Sequence, residues 1–327
     1  MDSTFDGSSM EARDAKISVV IPAWNSAHFL PRSLGSVFAQ TLRPREVIVV
    51  DDGSTDSTAA TAEKLGAKVI RQANGGSAAA RNAGMAAADG DWIALLDADD
   101  WWEPEKLARQ ASLIRPGLVL IYTGVKYHGS DGRCSAVAAL DPRAVRDRLR
   151  YRNPIVTSSV LVDRSAMLEL GGFRETLQTC EDWEMWLRLA NCGSVDAVAD
   201  PLTNYYVQAE SLSSAPERML NGLAAILEPV LLADQRGWPR WAWRRRIWAS
   251  QLLSAALIAR DNYRPGEIRY LVRSLRAWPS PFWLPRRWAC LAVSLKNALA
   301  QARNRRPQPD LAREESTARY NQESSAR

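Results

Sequence analysis

Short β-branched runs alternate with helical patterns through the first hundred of the 327 residues of this chain. Such runs have the composition of strands that are buried on both faces of a sheet. The predicted strands lie at residues 17–22, 46–50, 68–70 and 92–96, and the helical patterns between them at 29–38, 57–65 and 77–88. Strands that alternate with helices predict an α/β fold with a Rossmann-like, mostly parallel central sheet flanked by helices.

The fourth predicted strand ends abruptly in three carboxylates. Asp97 and Asp99 can both reach one hard cation, such as Mg²⁺ or Mn²⁺, if the backbone turns there. Such a cation needs a polyphosphate to complete its shell, which favours nucleotide-dependent transfer chemistry. The alternative from these residues alone is a polar turn in which Asp100 or Trp102 caps a helix that starts near Pro104.

The other three predicted strands also end in polar loops. These loops are Pro22-Ala23-Trp24-Asn25, Asp51 to Asp56, and Asn74 to Ser77. The carboxyl ends of parallel strands share one edge, so the four loops should converge on one crevice. Asp51 or Asp52 is suited to accept hydrogen bonds from a base or ribose. Gly75 and Gly76 allow close approach of backbone to a ligand, the next helix N-terminus favours phosphate, and Arg81 can neutralise charge there.

Residues 16–127 resemble the nucleotide-binding half of a family 2 glycosyltransferase, a nucleotide-sugar-dependent enzyme with the A-type fold. The matching segments, in this order, are Val-Val-Ile-Pro-Ala-Trp-Asn, Ile-Val-Val-Asp-Asp-Gly-Ser-Thr-Asp, Asn-Gly-Gly-Ser-Ala-Ala-Ala-Arg-Asn-Ala-Gly and Leu-Leu-Asp-Ala-Asp-Asp. Each segment is weakly specific by itself, but all four with these gaps are strongly specific.

The resemblance implies a site for a nucleotide-sugar donor. Asp51 or Asp52 would contact the nucleoside, and Asp97 and Asp99 would hold Mg²⁺ or Mn²⁺ on the diphosphate. The remaining residues predicted to bind the donor are Pro22, Ala23, Trp24, Asn25, Gly75, Gly76, Arg81 and Ala98. Trp24 departs from the family pattern, in which an aromatic of the tyrosine kind is more usual, although a Trp can still stack on the base.

A second group of acids lies on the expected acceptor side. Residues 155–163 have the pattern of a strand, and Glu181 and Asp182 open a later helix. Paired acids at a helix start are usually caps favoured by the macrodipole. The resemblance extends to this Glu-Asp-Trp segment, however, and implies that Asp182 is the catalytic base of an inverting transfer to an acceptor hydroxyl. Glu181 is the second candidate, as a residue that orients Asp182.

The chain changes character near residue 210. Residues 1–209 carry 22 Lys and Arg against 27 Asp and Glu, whereas residues 210–327 carry 20 against 10, so the net charge changes from −5 to +10. Seven of the 13 tryptophans lie in the second part. One explanation is a patch that binds an anionic membrane surface. Another is a helical subdomain that packs its tryptophans on the catalytic body, and both can hold. No segment resembles a nucleic-acid reader, so nucleic acid is not an expected partner.

These patterns predict a division of the chain. The predicted parts are a disordered N-terminus (1–15), a catalytic domain (16–209) with a donor half (16–127) and an acceptor half (128–209), a basic Trp-rich helical extension (210–302) and a disordered tail (303–327). The four cysteines have no CxxC spacing, the N-terminus does not resemble a secretory signal, and no apolar run reaches the roughly 18–20 residues of a spanning helix. We therefore expect a cytoplasmic protein, peripheral at the inner face of the cell membrane if the extension binds lipid.

Two functions from other classes stay open at this point. A nucleotidyltransferase uses a similar sheet and metal, but that class usually has a Gly-rich, basic loop after the first strand, unlike the segment that begins at Pro22. A non-catalytic nucleotide-sugar-binding protein would not need Asp97, Asp99 and Asp182 together. The acceptor, from the habit of the family and the basic extension, is expected to be a glycan or a lipid-linked glycan of a surface polysaccharide or glycoconjugate.

Overall fold

The computed structural model describes residues 15–129, 132–207, 216–233, 236–261, 266–279, 288–294 and 296. The strands are β1 (Ile17–Ala23), β2 (Glu46–Asp52), β3 (Lys68–Gln72), β4 (Trp92–Leu95), β5 (Trp101–Trp102), β6 (Leu118–Gly129), β7 (Cys134–Val137), β8 (Leu161–Asp163) and β9 (Ser194–Val207). The helices are α1 (Leu30–Phe38), α2 (Thr58–Lys64), α3 (Ser77–Ala86), α4 (Lys106–Ala111), α5 (Pro142–Leu149), α6 (Arg164–Glu169), α7 (Glu181–Cys192), α8 (Pro216–Ile226), α9 (Gly237–Asp261) and α10 (Glu267–Ala277).

The strands form one sheet in the order β3-β2-β1-β4-β8-β6-β9-β5, with β7 paired to β6. The first four strands are parallel, as the alternation of patterns predicts. β1, β2 and β4 are buried on both faces, and in β1 Val20 packs in one hydrophobic cluster while Val19 and Ile21 pack in another. The edge strand β3 is only partly buried. The carboxyl ends of these four strands therefore meet at one edge, and the predicted α/β fold is confirmed.

Beyond β4 the sheet becomes mixed. β8 is antiparallel to both β4 and β6, whereas β9 runs parallel to β6 with register shifts and then pairs with the short strand β5. The predicted strand over residues 155–163 is wrong in its first half, because residues 157–159 form a 3-10 turn and only Leu161–Asp163 is strand. The three side chains of this turn are buried, so the run looks like a buried strand in sequence.

The predicted helix cap after β4 is also wrong. Trp101 and Trp102 form β5, which pairs with Asn204 and Thr203 of β9, and α4 begins only at Lys106. Asp100 is fully buried and accepts a hydrogen bond from the backbone N–H of Tyr206 at 2.9 Å. Neither Asp100 nor Trp102 caps a helix, because Asp100 binds the Tyr206 N–H and Trp102 pairs with Thr203, both in β9.

The described part of the C-terminal extension is helical. α9 is a single helix of 25 residues that includes both the Trp- and Arg-rich segment and the apolar segment after it. Its Trp243 stacks on Tyr151, which follows α5, with ring centroids 6.3 Å apart, and Trp248 packs against the main core. The predicted disordered segments 1–15 and 303–327 lie outside the described residues apart from Ala15.

Within the described ranges, no helix is both long and apolar enough to cross a lipid bilayer. The cytoplasmic location stays a prediction.

The packing of α3 on the sheet depends on Gly84. A Cβ there would lie 2.3 Å from Val20 Cγ1 and 3.1 Å from Val50 Cγ2. Gly84→Ala should therefore lower the free energy of unfolding by about 1–3 kcal/mol, despite the higher helix propensity of Ala, and chemical denaturation measures it.

Gly35→Ala is the matched control, because a Cβ at Gly35 of α1 meets no atom within 4 Å. This variant should gain about 0.5–1 kcal/mol from helix propensity alone. Equal stability changes in the two variants would contradict the close packing of α3 on β1 and β2.

Candidate active site

The loops after β1 and β2 are joined by Asn25. Its backbone φ is +46°, in the left-handed region that Asn enters more readily than most residues. Asn25 Oδ1 accepts a hydrogen bond from the backbone N–H of Thr55 at 2.8 Å, and the Asn25 N–H donates to Ser54 Oγ at 2.9 Å. The adjacent Trp24 is 58% exposed. The loop that carries this open aromatic ring is thus fixed to the end of β2.

The two acids that end β2 have different partners. Asp52 accepts hydrogen bonds from the backbone N–H groups of Gly75 and Gly76, each at 2.8 Å, and from the Gln72 side chain at 2.8 Å. Asp51 accepts one from the Ser54 N–H at 3.1 Å. Asp52 therefore fixes the glycine loop before α3 and occupies the N–H groups of Gly75 and Gly76.

Arg81 of α3 joins the end of β4 to the start of α7. Its guanidinium is buried and pairs with Asp97 Oδ1 at 2.7 Å and with Glu181 Oε1 at 3.0 Å. Burial lowers the pKa of Arg81, but the two carboxylates outweigh this effect and the net shift is upward. Glu181 also accepts a hydrogen bond from Ser77 Oγ at 3.0 Å. Glu181 therefore positions Arg81. None of these bonds joins Glu181 to Asp182, and the role of Glu181 in orienting Asp182 stays a prediction.

Asp182 lies beside this ion-pair group with its own partners. Its Oδ2 accepts a hydrogen bond from Asn153 Nδ2 at 2.9 Å and lies 3.5 Å from Thr157 Oγ1, while Oδ1 accepts from the Trp183 N–H at 2.7 Å. Burial, together with the negative charge of Glu181, raises the pKa of Asp182 to about 7, against the opposing effects of the Trp183 N–H and Arg81. A carboxylate with this pKa is matched to proton transfer near neutral pH.

The acidic loop after β4 is held from two sides. Ser158 Oγ accepts a hydrogen bond from the Asp97 N–H at 3.0 Å and lies 2.5 Å from Asp100 Oδ2. On the other side, Arg32 of α1 donates to the carbonyl of Asp99 at 2.7 Å and stacks over the Trp101 ring at 3.8 Å. Burial and the neighbouring acids raise the pKa of Asp100 well above its usual range. Asp100 thus contributes anchoring contacts, and the loop is fixed before any ligand binds.

The donor atoms of this loop fit a hard divalent cation. Asp97 and Asp99 are partly exposed, and carboxylate oxygens are the ligands that Mg²⁺ and Mn²⁺ prefer. The part of the chain that the structure describes holds no cluster of three or more His, Cys, Asp or Glu side chains suited to a metal. A cation here would therefore depend on oxygen atoms from a bound ligand or water to fill its shell.

All residues predicted for the donor side lie at the ends of β1–β4 or on α3. They are Pro22, Ala23, Trp24, Asn25, Asp51, Asp52, Gly75, Gly76, Arg81, Asp97, Ala98 and Asp99. The chain brings Glu181 and Asp182 to the same edge through Arg81.

Sequence reasoning missed four residues that position the acids: Arg32, Asn153, Thr157 and Ser158. Arg32 has the pattern of an exposed helix residue, and the last two lie in a run that resembles a strand. Only the hydroxyl-rich composition of Thr157-Ser158-Ser159 is a signal that could have suggested a polar role.

Loss of the Asp100 side chain should destabilise the protein. Asp100→Ala leaves the Tyr206 N–H and the Ser158 hydroxyl without this partner, at a cost of about 1–3 kcal/mol for each buried group. Asp100→Asn keeps an oxygen for Tyr206 and should lose less. Chemical denaturation measures both, and Asp89→Ala, with a 76% exposed side chain, should stay within about 0.5 kcal/mol of the parent. If Asp100→Ala is as stable as Asp89→Ala, the anchoring role is wrong.

Comparison with known proteins gives a family match over part of the chain. Residues 18–159 match the model of glycosyl transferase family 2. An uncharacterized glycosyltransferase of Nostoc sp. is 39% identical over 143 residues, which cover 40% of this chain and 44% of that protein. Chondroitin synthase of Pasteurella multocida is 30% identical over 190 residues, 54% of this chain and 19% of that protein. The match thus spans less than half the length of either relative.

Solved structures share the fold. S. aureus TarS 1–349 in complex with UDP-GlcNAc has a TM-score of 0.57 and 23% identity, over 80% of this chain and 81% of that one. The mannosyltransferase PcManGT from Pyrobaculum calidifontis, in complex with GDP-Man and Mn²⁺, has a TM-score of 0.56 and 20% identity, over 87% and 81%. Residues 18–159 of this chain, which include β2 to β7 and all but the first residue of β1, thus match glycosyl transferase family 2.

Proposed function

We propose that this protein is an inverting glycosyltransferase that moves a sugar from a nucleoside-diphosphate sugar to an acceptor hydroxyl. The observation that carries the proposal is the pairing of Arg81 with both Asp97 and Glu181. This pairing supports the proposal because it brings Asp97, the candidate metal ligand, to the start of α7, where the candidate base Asp182 follows Glu181 in the chain. Donor activation and proton removal would then occur at neighbouring points of one crevice.

The donor would lie across the ends of the four parallel strands. The TarS complex contains UDP-GlcNAc and the mannosyltransferase complex contains GDP-Man, and we extend this class of donor to the present chain. Of the two acids that end β2, Asp51 is the better candidate for the nucleoside, because the carboxylate of Asp52 already accepts three hydrogen bonds from the chain. The exposed ring of Trp24 is available to stack on the base.

Asp97 and Asp99 would hold Mg²⁺ or Mn²⁺. When bound, the cation would neutralise the diphosphate and stabilise it as a leaving group. Arg32 and Ser158 contribute before binding, because they fix the backbone on either side of these two acids. A site that is already organised loses little freedom when charge develops on the leaving group.

Asp182 would act as the general base. Its Oδ2, held by Asn153 and near Thr157, would take the proton of the acceptor hydroxyl as that oxygen bonds to the anomeric carbon. The anomeric carbon–oxygen bond to the diphosphate breaks in the same displacement, which inverts the configuration. General base catalysis of this kind contributes roughly 10²–10⁴ in rate.

The acceptor would be a glycan or a lipid-linked glycan. The chondroitin synthase of Pasteurella multocida is one relative whose name refers to a polysaccharide, and this supports a role in surface polysaccharide or glycoconjugate synthesis on the cytoplasmic side of the membrane. A panel of nucleotide sugars, scored by release of free nucleoside diphosphate, would give the donor. A nucleotidyltransferase would release no nucleoside diphosphate from this panel but would form pyrophosphate from a nucleoside triphosphate and a sugar phosphate. Binding of a nucleotide sugar without release would favour a non-catalytic protein.

Asp182→Asn should lower kcat by roughly 10²–10⁴, because the amide cannot take the proton, while the Kd for the donor stays near the parent value. Initial rates with the donor from the panel and calorimetry measure the two quantities. Asp147→Asn, a change at an 82% exposed acid, is the matched control and should leave both unchanged.

The pH profile separates a base from a structural role. Because Asp182 must be ionised to accept a proton and its pKa is raised to about 7, kcat/KM should fall as the pH drops below about 7. The residual activity of Asp182→Asn should lack this limb. Near-normal turnover by Asp182→Asn, or an unchanged limb, would remove Asp182 from the role.

Asp99→Ala should remove the dependence of nucleotide binding on the metal, because one of two carboxylate ligands is lost. Titration of the nucleoside diphosphate with Mn²⁺ and with a chelator should give a tighter Kd with Mn²⁺ for the parent and nearly equal values for the variant. An enhancement by Mn²⁺ that persists in Asp99→Ala would contradict a metal site at this acid.

A further inference from the structure

The tryptophans of α9 face two different environments. Trp243 and Trp248 pack against the catalytic body, as described above. Trp238 and Trp241, in the first turns of the same helix, are 71% and 44% exposed, and their rings stack with centroids 4.5 Å apart. Packing on the body therefore accounts for only part of this aromatic segment.

The exposed pair continues onto α10. The ring centroid of Trp278, directly after the end of α10, lies 6.3 Å from that of Trp241. Arg245 stacks over the Trp241 ring at 4.9 Å and donates hydrogen bonds to the carbonyls of Ala277 and Arg276. These contacts hold the start of α9 against the end of α10. We call Trp238, Trp241 and Trp278 the aromatic end.

Positive charge lies next to the aromatic end. Arg269, Arg273 and Arg276 are exposed and recur at spacings of four and three residues, so they share one face of α10. The opposite face of α10, which carries Tyr270, Leu271 and Ser274, is buried. On α9, by contrast, Arg240 and Arg244 are paired with Glu228. Arg269, Arg273 and Arg276, which we call the arginine stripe, form an exposed cationic surface that ends two residues before Trp278.

We propose that the aromatic end and the arginine stripe of α10 form a surface that binds an anionic lipid bilayer. Indole rings favour the headgroup level of a membrane, and arginines on an amphipathic helix are attracted to anionic lipid. By sequence, residues 210–327 carry a net charge of +10, against −5 for the rest of the chain, so an anionic surface attracts this part of the chain. The catalytic half would be repelled by the surface that attracts the extension.

The proposal is independent of the sugar-transfer chemistry, since it needs neither donor nor acceptor. The test uses the full chain without nucleotide sugar, floated with vesicles of phosphatidylcholine alone or of phosphatidylcholine mixed with phosphatidylserine. We expect binding to the mixed vesicles only, weakened by added salt because charges at a surface are screened.

Two double variants and two controls locate the surface. Arg273→Glu/Arg276→Glu should weaken binding to the mixed vesicles. Loss of each positive charge costs about fivefold in affinity, and the two new negative charges should weaken binding further. Trp238→Ser/Trp241→Ser should also reduce binding by tenfold or more, because it removes the aromatic anchors. Arg43→Glu/Lys64→Glu, at exposed positions of the catalytic body, and Phe38→Ser, at a 43% exposed aromatic, should bind like the parent. Thermal unfolding checks that each variant is folded.

Several results would overturn the proposal. These are no binding of the parent to either vesicle, equal binding to neutral and anionic vesicles, and equal loss in the control variants. Self-association that disappears in Trp238→Ser/Trp241→Ser, with no vesicle binding by the parent, would assign the surface to a second copy of the chain and also reject the membrane. Failure of the donor panel would leave this result untouched.

Discussion

The buried guanidinium of Arg81 joins the end of β4 to the start of α7, and the geometry of the candidate site depends on it. A buried cation without a partner would cost several kcal/mol, so the carboxylates of Asp97 and Glu181 must stay within reach. Arg81 itself cannot move far, because Gly84 brings α3 into close contact with Val20 and Val50 of the sheet. The end of β4 and the start of α7 are therefore fixed relative to one another by a charge as well as by packing. A rigid arrangement of this kind suits the proposed displacement, in which the donor and the acceptor must meet in line.

The acids at this edge are chemically alike but are separated by their surroundings. Asp52 holds the glycine loop before α3, and Asp100 is buried against Ser158 and Tyr206. Asp182 is partly exposed, and its side-chain partners leave it suited to exchange a proton. The proposed division of labour thus follows from hydrogen bonds and burial. Asp97 and Asp99 are therefore the proposed metal ligands, and Asp182 is the proposed proton acceptor.

Sequence alone predicts the parallel half of the sheet well, because periodicity is a local property. The runs at β1 to β4 and the polar loops at their ends lie where the pattern puts them, within one or two residues. The misses come from contacts between distant parts of the chain. Asp100 resembles a cap in sequence, but β9 pairs with Trp101 and Trp102 and binds Asp100. Residues 157–159 resemble a strand, but the hydroxyls of Thr157 and Ser158 contact Asp182 and the Asp97 N–H. In α9, Trp243 and Trp248 pack against other parts of the fold, whereas Trp238 and Trp241 are exposed. The local sequence does not distinguish these two pairs.

A crystal structure of the protein with Mn²⁺ and the nucleoside diphosphate of its donor tests the central claim most directly. Anomalous scattering at the manganese edge locates the metal without reference to the rest of the density. The account predicts the metal at Asp97 and Asp99, with the diphosphate bound to it. It predicts the nucleobase between Asp51 and Trp24, and Arg81 still paired with Asp97 and Glu181. A metal and nucleotide bound away from the ends of β1–β4 would contradict it.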